Sequence, residues 1–187
     1  MKNLLLLCLI IPQFAFGMIG LKVGDLAPDI NIKDTEGKSF NFSKNSQTTI
    51  AVFYRGAWCP YCLKQLKNIQ SELVEKVSGK AQIVAISVDK MKIAKKMKRN
   101  NKFSFTVLTD PKAKSLKAFN IINKLSDDLV AKYKSSYKID VEGDSGETHH
   151  MVAHPAVFII KDGQITFADI HKDYKKRTEN SKILEAL

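Results

Sequence analysis

The amino-acid sequence predicts an α/β domain, a central mixed β-sheet flanked by helices, on three observations. β-Branched and aromatic runs alternate with stretches whose apolar residues recur at helical spacing. The last two runs flank Asp162-Gly163, a hairpin turn pair, so one edge of the sheet is antiparallel. The chain of 187 residues, 44% of them hydrophobic, is long enough to bury one core without disulfide staples.

The elements follow in order. Residues 29–32 read as a short strand, and 35–38 as the turn behind it. Residues 49–54 form a β-branched and aromatic run, a buried strand, and 55–58 a loop. Leu63, Leu66, Ile69, Leu73 and Val77 then lie on one helical face, with Pro60 in the first turn and Gly79 past the end. Residues 82–88 are the next strand and 90–100 a basic amphipathic helix. Residues 105–108 make a third strand, after which Asp110-Pro111 opens a helix through Phe119. Residues 123–137 read as helix and 140–147 as turns. Residues 156–160 and 165–169 form the hairpin, and a short helix over 179–187 closes the chain. No repeat, linker or low-complexity tract divides residues 18–187, which are expected to form one domain.

The first 17 residues have another character. Lys2 gives a positive start, residues 4–11 a short apolar run, and Ala15-Phe16-Gly17 small residues before a cleavage point at Met18. Pro12-Gln13 breaks the run well short of the roughly 20 residues a membrane span needs. Three leucines precede Cys8 where a lipidation site wants small residues. The expectation is a signal peptide over 1–17 and a periplasmic mature chain with no stable membrane span.

The charge balance is basic, with 30 Lys and Arg against 19 Asp and Glu, a net +11. Only Arg55, Arg99 and Arg177 are arginines, and no aromatic residues interleave the lysine runs. This speaks against a nucleic-acid partner, for which Arg forks and stacking platforms are expected.

Signal removal leaves two cysteines, Cys59 and Cys62, as Cys-Pro-Tyr-Cys. Two thiols cannot make a four-cysteine zinc site. A strand, a loop and Cys-x-x-Cys at a helix start favour a reactive thiol, because free backbone N–H groups and the helix dipole stabilise a thiolate there. Cys62 lies one turn further, close enough for a disulfide. Helix-end exposure favours Cys59 as the attacking sulfur.

The segment Phe53-Tyr54-Arg55-Gly56-Ala57-Trp58-Cys59-Pro60-Tyr61-Cys62 resembles the active site of peroxiredoxin-like proteins of the alkyl hydroperoxide reductase/thiol-specific antioxidant family, which have a thioredoxin-like fold. Residues 28–38, 84–89, 108–111 and 154–163 are similar to other family stretches. The family's Pro-x-x-x-Thr-x-x-Cys motif, laid on this segment, places its Pro on Arg55, its Thr on Cys59 and its peroxidatic Cys on Cys62. The thioredoxin reading instead makes Cys59 the nucleophile. The resemblance implies an antioxidant oxidoreductase that acts on peroxides or protein disulfides, with a thiol protein as reductant and no organic cofactor. It also implies that Trp58 shields the dithiol; by their own chemistry Arg55 can lower a thiol pKa or hold an anion, and Pro60 pre-sets the turn. Pro155 would be a cis proline with His154 beside the disulfide, tuning thiolate stability. The segment 173–177 matches a C-terminal family element with a packing role only. A rival is a non-enzymatic copper-delivery module with the same fold, its metal held by the dithiol and a histidine among His149, His150 and His154.

Overall fold

The computed structural model describes residues 19–187. The expected signal peptide, and Cys8 within it, lies outside the described residues. β3 (Thr49–Phe53) is the axis of the fold, and all five of its residues are buried. It pairs in parallel with β4 (Gln82–Ser87) and antiparallel with β8 (Ala156–Lys161). β1 (Asn31–Asp34), β2 (Ser39–Asn41), β5 (Thr106–Thr109) and β9 (Gln164–Ile170) complete a mixed sheet in the order β2-β1-β5-β4-β3-β8-β9.

Both sheet faces are covered, and the two-residue period of β3 divides its side chains between them. Ala51 and Phe53 join a cluster with Phe42, Phe119 and Phe158. Its rings lie about 5 Å apart, with Phe53 to Phe119 at 4.9 Å and Phe119 to Phe158 at 5.0 Å. Ile50, Val52 and Tyr54 face the other way, onto Leu66, Ile69, Leu73 and both cysteines. Each large side chain fully buried in this way contributes on the order of 1.5–3 kcal/mol.

Helices flank the sheet as expected, with instructive departures. The long helix is interrupted: α1 (Pro60–Asn68) passes through a π turn (Ile69–Leu73) into α2 (Val74–Val77). At the junction the Asn68 carbonyl accepts Asn180 Nδ2 at 3.3 Å, so the π turn sits where α7 (Asn180–Glu185) docks. α3 (Met91–Asn101) buries Ala94 and Met97. α4 (Lys114–Ala118) begins later than expected, yet Asp110 still caps it, accepting the N–H groups of Lys114 and Ser115 at 3.0 and 2.7 Å.

The helix expected over 123–137 starts only at Asp127, as α5 (Asp127–Tyr137). Residues 122–124 instead form β6 (Ile122–Lys124), paired with β7 (Met151–Ala153) in a small second sheet. Ser126 accepts the Leu129 N–H at 3.3 Å and makes the stop between the two elements. The expected turns over 140–147 contain α6 (Val141–Ser145), started by Asp140 on the Gly143 N–H at 2.9 Å. Among the described residues no helix is long and apolar enough to cross a membrane.

One expectation is corrected. The described chain contains no cis peptide bond, so the bond before Pro155 is trans. Trans is the lower form by about 0.5–1 kcal/mol, and extended hydrogen bonding suits it here. His154 N–H donates to Ile121 O at 2.8 Å and Pro155 O accepts the His171 N–H at 2.9 Å, which carries the chain from β7 into β8 without a tight turn.

Candidate active site

β3 delivers the loop 55–58 and then the dithiol. The Tyr54 N–H still bonds Ile86 O at 3.0 Å, after which the chain leaves the sheet. Gly56 O accepts the Cys59 N–H at 3.1 Å, closing the loop into a turn. Cys59 is the N-cap of α1, in extended backbone geometry with φ −87° and ψ 113°, and Pro60 follows in the first turn. A cap residue faces the helix's unpaired N–H groups. The Cys62 N–H is one of them and stabilises a Cys59 thiolate.

The two sulfurs are reduced and deeply buried, Cys59 at 1% exposure and Cys62 at 0%. The exposure expected of Cys59 is therefore wrong. The reason is Arg177: its segment folds back so that Nη2 lies 3.1 Å from Cys62 Sγ and 3.9 Å from Cys59 Sγ. The Arg177 Nη1 donates to the carbonyls of Tyr174 and Lys176, both at 2.6 Å, which fixes the guanidinium in place.

Burial alone would push both thiols up. It does so for Cys62, which is raised well above the usual range by burial and by giving its proton to a hydrogen bond with Cys59. Cys59 goes the other way, to about 6. The Cys62 thiol donating to its sulfur is the largest cause, and burial opposes it. The Cys62 N–H and the charges of Arg55 and Arg177 add to the lowering. A thiolate–thiol pair with one low and one high member results.

Arg55 is a second buried cation, 3% exposed. Its Nη2 donates to the Tyr133 hydroxyl at 3.0 Å, and its guanidinium lies 4.7 Å from the Tyr174 ring centroid and 4.9 Å from that of Trp58. Among the described residues no carboxylate forms a salt bridge with it, so the Cys59 thiolate is the anion it faces. Trp58 is half-buried between Arg55 and the Tyr133 ring, 5.5 Å away. Pro60 is exposed.

The histidines lie elsewhere. His154 is half-buried and held below its usual range, chiefly by burial, and its neighbours are Lys172, Arg55 and the His171 backbone. The sulfurs bond to Arg177, to each other and to the backbone N–H groups of the active-site segment, with His154 outside this set. His149 contacts Pro111 O at 2.7 Å, and His150 lies between Asp127 and Glu142. The histidines expected to complete a copper site are turned away, and among the described residues no group of three His, Cys, Asp or Glu could hold a metal ion.

Two site residues escaped the sequence reading. The resemblance gives the segment of Arg177 a packing role only; a lone arginine in a lysine-rich segment is the signal the sequence offers. Asp89, at the end of β4, is 1% exposed and accepts the Ala57 N–H and the Ser87 hydroxyl, each at 2.8 Å, so it ties the loop to the sheet. Burial raises its pKa to about 7. With the folded value above the unfolded one, the folded state holds the extra proton between about pH 4 and 7, and stability falls as pH rises through that window. Asp89→Asn is expected to melt higher than the parent at pH 8 and to lose most of that advantage at pH 4, as read by thermal denaturation at the two pH values.

A dithiol at a helix start, buried under two arginines where the central strand of a thioredoxin-like sheet ends, defines the class: a thiol oxidoreductase of peroxiredoxin type. The match to a family model over residues 23–168 specifies it further: the chain belongs to the AhpC/TSA family. Among curated proteins it is similar to Peroxiredoxin Bcp of Escherichia coli strain K12, 25% identical over 130 residues, covering 66% of this chain and 81% of that protein. It is also similar to the Sporulation thiol-disulfide oxidoreductase A of Bacillus subtilis, 26% identical over 95 residues, 49% of this chain and 57% of that one. The fold matches the solved Peroxidoxin BcpB of Mycobacterium tuberculosis, with a TM-score of 0.67 and 16% identity over 90% of this chain and 96% of that one. It also matches a reduced Prx3 of Vibrio vulnificus solved with hydrogen peroxide, with a TM-score of 0.70 and 15% identity over 89% and 99%. At such identities these structures establish the fold.

Proposed function

We propose that this protein is a dithiol peroxidase and disulfide reductase in which Cys59 attacks and Cys62 resolves. The observation that carries the reading is the place of the two sulfurs: Cys59 caps α1 and faces the Cys62 N–H, which favours its thiolate, whereas Cys62 lies one turn inside the helix, fully buried, where burial favours the neutral thiol. At neutral pH the acidic member is a thiolate and the other holds the proton. Cys59–S⁻ attacks a peroxide O–O bond, giving Cys59–SOH and an alkoxide or hydroxide that takes up a proton. Cys62 then attacks that sulfur; a Cys59–Cys62 disulfide forms and water leaves. With a disulfide substrate the first product is a mixed disulfide, and Cys62 expels the substrate thiolate. Two thiols of a reductant protein restore the pair.

The family motif's Thr is here Cys59, so the hydroxyl that orients a peroxide is missing and Arg55 and Arg177 hold the anionic oxygen instead. Substrate reaches Cys59 when the strap around Arg177 moves aside. A groove of about 580 Å³ between α1 and that strap, lined by Tyr61, Lys64, Gln65 and Arg177, is the approach. We read residues 1–17 as a cleaved export signal that places the dithiol in the periplasm; mass spectrometry showing intact residues 1–17 on the cellular protein would refute this.

The test is a pair of rate measurements. Iodoacetamide alkylation of the reduced protein is expected to modify Cys59 first, its rate rising to a plateau with a midpoint near pH 6. Peroxide consumption with a dithiol reductant is expected to follow the same titration. A midpoint near that of an ordinary thiol, or turnover that survives loss of both cysteines, overturns the reading.

A further inference from the structure

Two arginines lie at the dithiol, and they are held differently. Arg177 bonds the sulfurs directly, while the Arg55 guanidinium bonds only the Tyr133 hydroxyl, through Nη2 at 3.0 Å. The Arg55 Nε is sealed from solvent and has no partner among the described residues. A buried guanidinium with unspent donors and no carboxylate beside it costs stability, and it marks a place built to receive an anion.

Arg55 also lies in the wall of a cavity of about 500 Å³ beside α5. Leu125, Leu129, Tyr133, Tyr137 and Tyr174 give this cavity an apolar and aromatic lining, and the exposed Lys124 and Lys132 stand among them. None of its lining residues is acidic. The groove along α1 differs, since Glu72 and Glu179 line it together with its cations. The α5 cavity therefore selects for negative charge, and its rings and leucines suit an organic body rather than a bare ion. A flat guanidinium fork with a tyrosine hydroxyl beside it matches a carboxylate.

Tyr174 separates the two spaces. Its ring centroid lies 4.7 Å from the Arg55 guanidinium and 5.9 Å from the Tyr61 ring, which lines the α1 groove. Its carbonyl accepts Arg177 Nη1, so the ring over Arg55 and the guanidinium over the sulfurs belong to one strap. When that strap moves aside to admit substrate, Cys59 is uncovered and Arg55 loses its Tyr174 cover in the same movement.

Resting on the dithiol reading above, we propose that the α5 cavity is the subsite for a carboxylate carried by the substrate, with Arg55 and Lys132 binding the acid group and the tyrosines the apolar body next to it. The substrate class is then an organic disulfide or hydroperoxide that bears a carboxylate on an aromatic or alkyl frame. Its acid group takes the place that Tyr174 leaves, so binding holds the strap open while Cys59 attacks.

The test compares 4,4′-dithiobis(benzoate) with its diamide, two disulfides of the same size that differ in charge. At roughly physiological salt the reduced protein is expected to react with the diacid about tenfold or more faster than with the diamide. That preference is expected to fall by about tenfold in Arg55→Gln and by about threefold in Lys132→Gln. The ratio cancels any effect of Arg55 on the Cys59 thiolate, which acts on both disulfides alike. Lys132 is exposed, so its variant keeps the test standing if Arg55→Gln does not fold. Lys80→Gln removes an exposed charge at the other end of the sheet, where β3 and β4 begin, and is expected to keep the parent's preference. Trp58, the only tryptophan of the chain, lies 4.9 Å from Arg55 and gives a reading without turnover. Its fluorescence is expected to change saturably with 4-tert-butylbenzoate, and not with 4-tert-butylbenzamide or inorganic phosphate. Equal rates for diacid and diamide, a preference that Lys80→Gln lowers as much as Lys132→Gln does, or phosphate reproducing the fluorescence change would each overturn the subsite and leave the dithiol reading intact. A parent that reacts with neither disulfide overturns the dithiol reading itself.

Discussion

Replacing Cys62 by serine is expected to leave a stable adduct on Cys59. A serine hydroxyl still donates a hydrogen bond to the Cys59 sulfur, so the thiolate survives, but oxygen cannot close the disulfide. Incubated with a disulfide-bonded protein, Cys62→Ser should accumulate a mixed disulfide that peptide mapping places on Cys59. The companion Cys62→Ala removes the strongest influence on the Cys59 pKa, the thiol donor, and should react more slowly at pH 6–7. Cys59→Ser is expected to lose about three orders of magnitude or more in both peroxide and disulfide turnover. The family's motif register assigns attack to Cys62. If Cys59→Ser instead forms the adduct, and its Cys62 is oxidised rapidly to sulfenic acid, that register governs and the assignment made here is reversed. The burial and raised pKa of Cys62 argue against that outcome.

The second large effect concerns Arg177. Its guanidinium is the only cation hydrogen-bonded to the sulfurs among the described residues, and its charge favours the Cys59 thiolate. Arg177→Gln is expected to move the midpoint of Cys59 alkylation upward and to slow peroxide reduction at neutral pH by roughly ten- to a hundredfold, as expected for loss of a donor aimed at developing negative charge. Arg177→Lys keeps the charge but cannot bond the sulfur and the Tyr174 and Lys176 carbonyls together, so it should recover only part of the rate. A pH profile that does not move in Arg177→Gln would reduce Arg177 to a covering group. The comparison with Arg55→Gln separates the two cations, since Arg55 acts on the thiolate by charge alone.

What the sequence made legible follows from how local each feature is. The strand 49–54, the loop and Cys59 at a helix start are read within a single stretch, and the structure has all three. The mixed sheet follows from the Asp162-Gly163 hairpin. Residues 123 and 124 look helical because nothing nearby reveals the partners of β6, Met151–Ala153, which lie far along the chain. The π turn is equally hidden, since apolar spacing is the same with or without one extra residue in the turn. His154 was drawn to the dithiol by its neighbour Pro155, but the trans bond and the hydrogen bond to Ile121 O hold that segment along the sheet. Arg177 was the costliest omission. It lies 115 residues from Cys62, and no spacing rule connects the two. Arg55, by contrast, was singled out by position, although only the structure shows it caged by rings rather than solvated.

The contact between Arg177 and the sulfurs also has a meaning in time. The two cysteines are made when about a third of the 187 residues has been translated, and the guanidinium that covers them arrives 115 residues after Cys62. Until then, Cys59 lacks one of its two arginines and the strap that shields it, and an unfolded stretch gives it no helix end to face. In an emerging or unfolded chain Cys59 and Cys62 are therefore ordinary thiols, slow toward oxidants at neutral pH. Full reactivity comes only when Arg177, 115 residues further along than Cys62, has folded back over the dithiol, which makes reactivity a report on that long-range contact.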